Sequence, residues 1–522
     1  MTIAQIRDVA LQEGHIKVSS KTLGLISAGI YRTPAGAIKE LISNAFDADA
    51  DWVRISMNAP SFDIVSIRDN GSGIEYSKFI SLMERQIGDS DKRSQGDHTP
   101  IKNRPIIGRI GIGLLAIAQI CHAFEVVSHH RRTRTAFRSQ VQMTDYLQEE
   151  MDAAEADLPS HDIGTYRAEQ IDFDETNCGT TIIATQLKPG FIIRLRKEPP
   201  PLPRNFNTFF ADVVKHDSLR ELSEYWRTTW SIALAAPLPY LDDGPVRDHR
   251  VDPERQRQLE DFAFRVEVDQ MPVRRPVLLP PRAKDQRQPD NVNVVTLKID
   301  QKINGFWLKG QGYIYSQGGK SIYPSELRGL LIRIKGVAIG EYDKNFLDYP
   351  LNEGPRISWL SGELNVDEGL EDALNIDRDS FNQAHPHYIA VQQLIHDAMD
   401  KEVRPWLYRN LDDRKKERDR EAEAHQKAAV NETIATVFPD ITRVEHVNRP
   451  SQRGQTEQFV PPVLINTDDG RVEVNDAAAW PRARRNRELA EQIAIGFEAS
   501  LAGSSPEEIR RRFYAILRQI LA

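Results

Sequence analysis

Two cysteines in 522 residues, Cys121 and Cys178, leave no disulfide framework and no thiol spacing that would ligate a metal. They fit small buried hydrophobes in a reducing compartment. Long apolar runs are missing too. The most apolar stretch, Ile106 to Ile120, holds Arg109 and three glycines and is too short to span a bilayer. Positive charge is not in excess: 68 Lys and Arg face 76 Asp and Glu, for a net −8. This removes any global drive toward nucleic acid or an anionic membrane and leaves only local basic patches open. Met1 to Ala10 carries Arg7 and Asp8 and has no signal-peptide pattern, so a cytoplasmic protein without a membrane partner is expected. No internal repeat or low-complexity tract is apparent.

What is present describes a globular protein, 40% hydrophobic and 28% charged, long enough for roughly two to four domains. Its most informative stretch is Ala37 to Ala50. Glu40, Asn44 and Asp47 stand at i, i+4 and i+7 and share one stripe of a helix. Ile38, Leu41, Ile42 and Ala45 form an apolar stripe on another face. Thr33-Pro34 supplies the start signal. A carboxylate-amide-carboxylate face suits a metal-bound anion and an attacking water, and a solvated polar stripe is the plainer alternative.

Strands are predicted at Trp52–Met57 and Ile64–Arg68, the second running into Asp69-Asn70-Gly71-Ser72-Gly73. Taken alone that tail is a turn. At a sheet's end, however, a carboxylate followed by glycines can accept a hydrogen bond from an exocyclic amine such as adenine's. Ile87 to Pro105 is polar, aperiodic and long enough for a mobile lid. It leads to Gly108, Gly111 and Gly113, with a helix expected from about Gly113 to His122. Glycine amides at a helix start cradle phosphate. The order is not that of the dinucleotide fingerprint, and Gly319-Lys320-Ser321 is no P-loop because Ile314 stands where its first glycine is required. A strand at Phe124–Ser128, an acidic insertion over residues 143–172, and a strand entered through Gly179-Thr180 complete a first domain of about 1–200.

Glu40-x3-Asn44-x2-Asp47, Asp69-x-Gly71-x-Gly73, Gly108-x2-Gly111-x-Gly113 and Gly179-Thr180 together resemble, in order and spacing, the GHKL ATPases. These comprise gyrase B, the ninety-kilodalton heat-shock chaperone, histidine kinases and MutL, with the MORC proteins as relatives. The resemblance implies an α/β sandwich, a mixed sheet covered by helices, and ATP with Mg²⁺ as cofactors. Glu40 then resembles the general base, Asn44 the Mg²⁺ ligand, and Asp69 the adenine-reading carboxylate, backed by the Thr180 hydroxyl. Gly71 and Gly73 would line the base pocket, and Gly108, Gly111 and Gly113 the phosphate lid. Asp47 would be structural or a supporting partner, and Ser90 and Lys92 sit where some relatives contact phosphate. A histidine kinase is disfavoured, because His15 alone precedes the motifs.

The second half predicts a transducer-like α/β domain at about 205–400, with a Pro-, Arg- and Asp-rich stretch over 241–291 that includes an exposed excursion. Leu374-Asn375-Ile376-Asp377-Arg378 resembles the chaperone's middle-domain segment, which makes Arg378 the candidate arginine finger. It can equally be a surface residue paired with Asp377 or Asp379. Gyrase and MutL use a lysine from this domain, for which Lys335 is the candidate. A charged helical segment (401–446), a linker (447–462) and a small helical region (463–522) follow. The last contains the basic cluster Arg482–Arg487. An ATP-hydrolysing clamp is expected, dimeric by resemblance, with a protein client or DNA as partner. A nucleotide-gated scaffold that does not hydrolyse is the rival.

Overall fold

The computed structural model describes residues 11–18, 33–84, 98–108, 113–144, 161–197, 201–241, 253–276, 292–317, 321–350, 354–375, 379–437, 443–447, 463–466 and 471–475, with Ser505 and Arg511 besides. It divides into two units, Met1–Arg409 and Asn410–Ala522.

Thr33 caps α1 (Pro34–Asp47). Its hydroxyl accepts the Gly36 amide at 3.1 Å, and Pro34 takes a first-turn position, where an amide would lack a helical partner. The expected apolar stripe, Ile38, Leu41, Ile42 and Ala45, is buried together with Ala37 and Phe46, each at most 4% exposed. The stripe belongs to a core shared with a nine-stranded sheet. Its strands are β1 (Gln12–Val18), β2 (Trp52–Ser56), β3 (Val65–Asp69), β4 (Cys121–His130), β5 (Thr135–Met143), β6 (His161–Ile171), β7 (Gly179–Leu187), β8 (Arg265–Val268) and β9 (Met271–Val273). They lie in the order β1-β6-β5-β4-β7-β3-β2-β8-β9. All neighbours are antiparallel except β2 and β8. Helices α2 (Tyr76–Glu84), α3 (Pro189–Arg196), α4 (Phe206–Val213), α5 (Glu224–Ala235) and α6 (Pro253–Asp261) complete this part, and α1 packs against α5. The mixed α/β class stands as read.

Three elements depart from expectation. The stretch read as an acidic insertion contains β6, which pairs with both β1 and β5 and buries Ile163, Tyr166 and Ala168. The stretch read as including an exposed excursion also supplies β8 and β9, so the first sheet runs well past residue 200. Val266, Val268, Met271 and Val273 are at most 3% exposed, and their burial brings the chain back to the edge of β2. The helix expected from Gly113 is a 3₁₀ turn that ends at Gln119, because Cys121 already begins β4. Both cysteines are buried, and burial pushes the Cys121 thiol up to about 12, so it stays protonated.

The second sheet of the first unit holds β10 (Val292–Ile303), β11 (Phe306–Gln317), β12 (Gly329–Ile334), β13 (Val337–Asp343) and β14 (Leu360–Glu368), in the order β10-β11-β14-β12-β13. Helix α7 (Pro386–Ala398) joins one face of it, where Ile332, Leu364 and Val366 share a core with Val391 and Ile395. Helix α8 (Arg404–Val437) follows. The last strands, β15 (Arg443–Val447), β16 (Val463–Asn466) and β17 (Arg471–Asn475), form a small sheet in a region read as linker and helix. The helices read near 488–501 and 507–521, and the Arg482–Arg487 cluster, lie outside the described residues. Among the described residues no helix is long and apolar enough to cross a membrane.

Candidate nucleotide site

Helix α1 places Glu40 and Asn44 one turn apart, with Asp47 a turn further along. Glu40 is 4% exposed, whereas Asn44 keeps partial exposure. Among the described residues the Asn44 side chain makes no hydrogen bond. A single amide oxygen beside a carboxylate suits Mg²⁺, which keeps waters and phosphate oxygens for its remaining positions. No cluster of three His, Cys, Asp or Glu that could hold a metal occurs among the described residues.

Asp47 engages the backbone at the entry to the glycine run. Its Oδ1 accepts the Ile107 amide at 2.8 Å and its Oδ2 the Gly108 amide at 2.7 Å, so it fixes the entry to the glycine run. The next carboxylate, Asp49, which sequence reasoning passed over, does the same for the preceding turn. It accepts the Thr99 hydroxyl at 2.5 Å and the amides of Ile101 and Lys102 at 3.0 and 3.1 Å. Arg104 is 1% exposed and donates to the Ala50 carbonyl at 2.6 Å, its guanidinium lying over the Phe46 ring. Residues 98–105, read as part of a mobile lid, are therefore anchored. Ser90 and Lys92 lie outside the described residues. Lys102 pairs with Asp51, and its ammonium holds the Asp51 carboxyl below the usual carboxylate range.

Asp69 ends β3. Its Oδ1 accepts the amides of Gly71 at 2.8 Å and Thr180 at 3.3 Å. Among the described residues Oδ2 accepts nothing, which leaves one carboxylate oxygen for an amine donor. The residue as a whole is partly exposed, but its carboxyl is packed closely enough that burial pushes it up to about 6, against the pull of the two amides. The Thr180 hydroxyl does not back Asp69, as the resemblance implied. It lies 3.1 Å from Ser128 Oγ, which accepts the Ile74 amide and donates to the Gly179 carbonyl.

The glycines around Asp69 are where backbones touch. A Cβ on Gly73 (φ +76°) would stand 2.3 Å from the His129 carbonyl oxygen, and one on Gly71 would stand 2.8 Å from that of Ala48. At Gly179 (φ +121°) it would meet the Asp69 carbonyl oxygen at 2.1 Å. Gly179→Ala is expected to cost roughly 3 kcal/mol or more, since clash and left-handed strain add. Gly190 in α3 has nothing within 4 Å of a Cβ. Gly190→Ala should then be neutral or stabilise by up to about 1 kcal/mol. Urea unfolding of the two variants checks the contrast.

The five-stranded sheet meets this site through its β12–β13 turn. Lys335, 7% exposed, donates from Nζ to the Ile106 carbonyl at 3.2 Å and pairs with Glu371 at 2.9 Å. One peptide group, Ile106–Ile107, thus joins two parts: its carbonyl accepts from Lys335 and its amide donates to Asp47. From α1, Lys39 reaches the Ala338 carbonyl at 3.3 Å and Asp379 at 3.1 Å. Gly111 and Arg378 lie outside the described residues, and Gly113 opens the 3₁₀ turn.

Residues 31–180 match the family of histidine kinase-, DNA gyrase B-, and HSP90-like ATPases. That stretch is similar to a GHKL-type ATPase domain. The chain is 33% identical across 117 residues to a putative type II restriction enzyme, HgiDII, of Herpetosiphon aurantiacus, covering 22% of this chain and 18% of that protein. Across 123 residues it is 29% identical to the DNA mismatch repair protein MutL of Ehrlichia chaffeensis, covering 23% and 17%. These matches span less than a fifth of either relative. A crystal structure of the N-terminal domain of a DNA repair protein aligns with 72% of this chain and 95% of its own, at 13% identity and a TM-score of 0.35.

Proposed function

We propose that the GHKL domain binds ATP with Mg²⁺ and hydrolyses it, and that the five-stranded sheet senses the nucleotide through Lys335. Asp69 would take the adenine amine on Oδ2. Asn44 would be the Mg²⁺ ligand, and the ion would neutralise phosphate charge. Glu40 would accept the proton of the attacking water. The glycine run that follows Gly108 would hold phosphate oxygens, the Gly108 amide itself being kept by Asp47. The observation that carries the reading is the Ile106–Ile107 peptide, which is hydrogen-bonded at one end to the nucleotide helix and at the other to Lys335. A cation held one peptide from the glycine run is close to where phosphate would be cradled. Trading the Ile106 carbonyl for a phosphate would move the sheet with the lid.

Phosphate release from ATP by the purified full chain tests the proposal, and no release above background would leave the non-hydrolysing scaffold. Lys335→Met is expected to lower saturating turnover by about tenfold to a thousandfold with binding nearly unchanged. If Arg378→Ala shows this loss and Lys335→Met does not, the cation role passes to Arg378. Homodimerisation on ATP and binding of DNA, rather than of a protein client, complete the proposal. The matched relatives bear DNA-related names. A salt-dependent DNA titration with and without a non-hydrolysable nucleotide tests the partner.

A further inference from the structure

The face of the five-stranded sheet opposite α7 carries buried charge. Arg333 on β12 and Glu363 on β14 are at most 1% exposed and pair at 2.8 Å, and the Tyr240 hydroxyl donates to the second Glu363 oxygen at 2.9 Å. Arg275, just after β9, comes in from the nine-stranded sheet. It is fully buried, its guanidinium lies 4.8 Å from the Tyr240 ring centre, and its Nη2 donates to the Gly336 carbonyl at 2.8 Å. Its Nε and Nη1 find no acceptor among the described residues. Two guanidinium groups therefore stand against the single carboxylate of Glu363. An apolar side chain of similar size would fill the place at lower cost.

What Arg275 holds is the turn that carries Lys335. Lys335 (φ +50°) and Gly336 (φ +86°) are both left-handed, as a two-residue hairpin turn requires. Gly336 adopts this freely, but a lysine does so only when its surroundings enforce it. The Lys335 amide donates to the Val366 carbonyl at 3.0 Å, and Arg275 secures the carbonyl one residue on. We propose that Arg275 is a positioning residue for Lys335: by holding the Gly336 carbonyl it fixes the turn that aims the Lys335 ammonium at the Ile106–Ile107 peptide. Arg275 touches no substrate. The inference rests on the reading of Lys335 as the cation that serves the phosphates.

The test uses the full chain and the variants Arg275→Met, Arg275→Lys, Lys335→Met and the Arg275→Met/Lys335→Met double variant. ATP dissociation constant, saturating turnover and thermal midpoint are measured for each. Arg275→Met should bind ATP within about twofold of the parent, yet turn over about tenfold more slowly. Arg275→Lys keeps the charge without the forked head and should lose only about threefold. The double variant should be no slower than Lys335→Met, because both changes act through one group. Parent-like turnover in Arg275→Met, or a double variant that loses the product of the two single effects, overturns the proposal. If Arg275→Met does not fold, Arg275→Lys decides, and turnover equal to the parent overturns it. Slow turnover in Lys335→Met with normal turnover in Arg275→Met removes Arg275 alone. Normal turnover in Lys335→Met removes both readings.

Discussion

Glu40→Ala is expected to bind ATP within about twofold of the parent and to release phosphate at least a hundredfold more slowly at saturation. The two halves of that expectation come from different parts of the site. Base recognition is assigned to Asp69 at the end of β3, a different element from the helix α1 that carries Glu40. Phosphate recognition is assigned to backbone amides, which a side-chain change at residue 40 leaves in place. The step that needs Glu40 is proton removal from water, worth roughly a hundredfold to ten-thousandfold for a positioned base. Glu40 is 4% exposed, so alanine also leaves a cavity, and Glu40→Gln separates the two effects because it keeps volume and loses basicity. Both variants should be equally slow, although only the alanine variant should melt lower. A glutamine variant that turns over like the parent excludes Glu40 as the base.

How far the sequence revealed this arrangement depends on how local each signal is. The α1 stripe, its Thr33-Pro34 start and the carboxylate at the end of β3 are patterns within a few residues, and the structure places them as read. Strands β6 and β8 were missed for a common reason. Each is polar on one side or very short, and becomes a strand only because distant partners, β1 and β5 for one and β2 for the other, offer it an edge. Helical spacing says that Asp47 shares a stripe with Glu40 and Asn44, but not that the chain returns sixty residues later with two amides that donate to it. Asp49 could have been found from one signal, a second carboxylate at a helix end followed by a polar loop, though nothing local says which amides it takes. The exchange at Thr180, amide to Asp69 and hydroxyl to Ser128, turns on a register between β4 and β7 that propensity does not encode. Lys335 was legible only as a candidate. Its burial against Ile106 and Glu371 depends on how the two sheets meet.

Asp69→Asn is expected to weaken ATP binding by at least about a hundredfold while making the nucleotide-free protein more stable at neutral pH. The binding loss follows from donor count. The two amides already on Oδ1 would keep the asparagine oxygen toward Gly71 and Thr180, leaving the asparagine NH₂ to face the adenine NH₂, donor against donor. The stability gain follows from the carboxyl's own titration. Burial raises it from 3.8 to about 6, so between those values the folded chain holds a proton that the unfolded chain has lost. That contribution is fully present below 3.8 and is lost as pH rises through about 6, so at pH 7.5 the ionised carboxylate costs the empty protein roughly 1–3 kcal/mol. An uncharged asparagine carries no such cost, so its advantage in thermal midpoint should be largest above pH 7 and fade toward pH 4. Equal melting of the two proteins at pH 7.5, or an advantage that grows on acidification, would show that Asp69 is not held in a site that disfavours its charge. Bound adenine would offset the same cost, because a hydrogen bond to Oδ2 stabilises the ionised form that burial opposes.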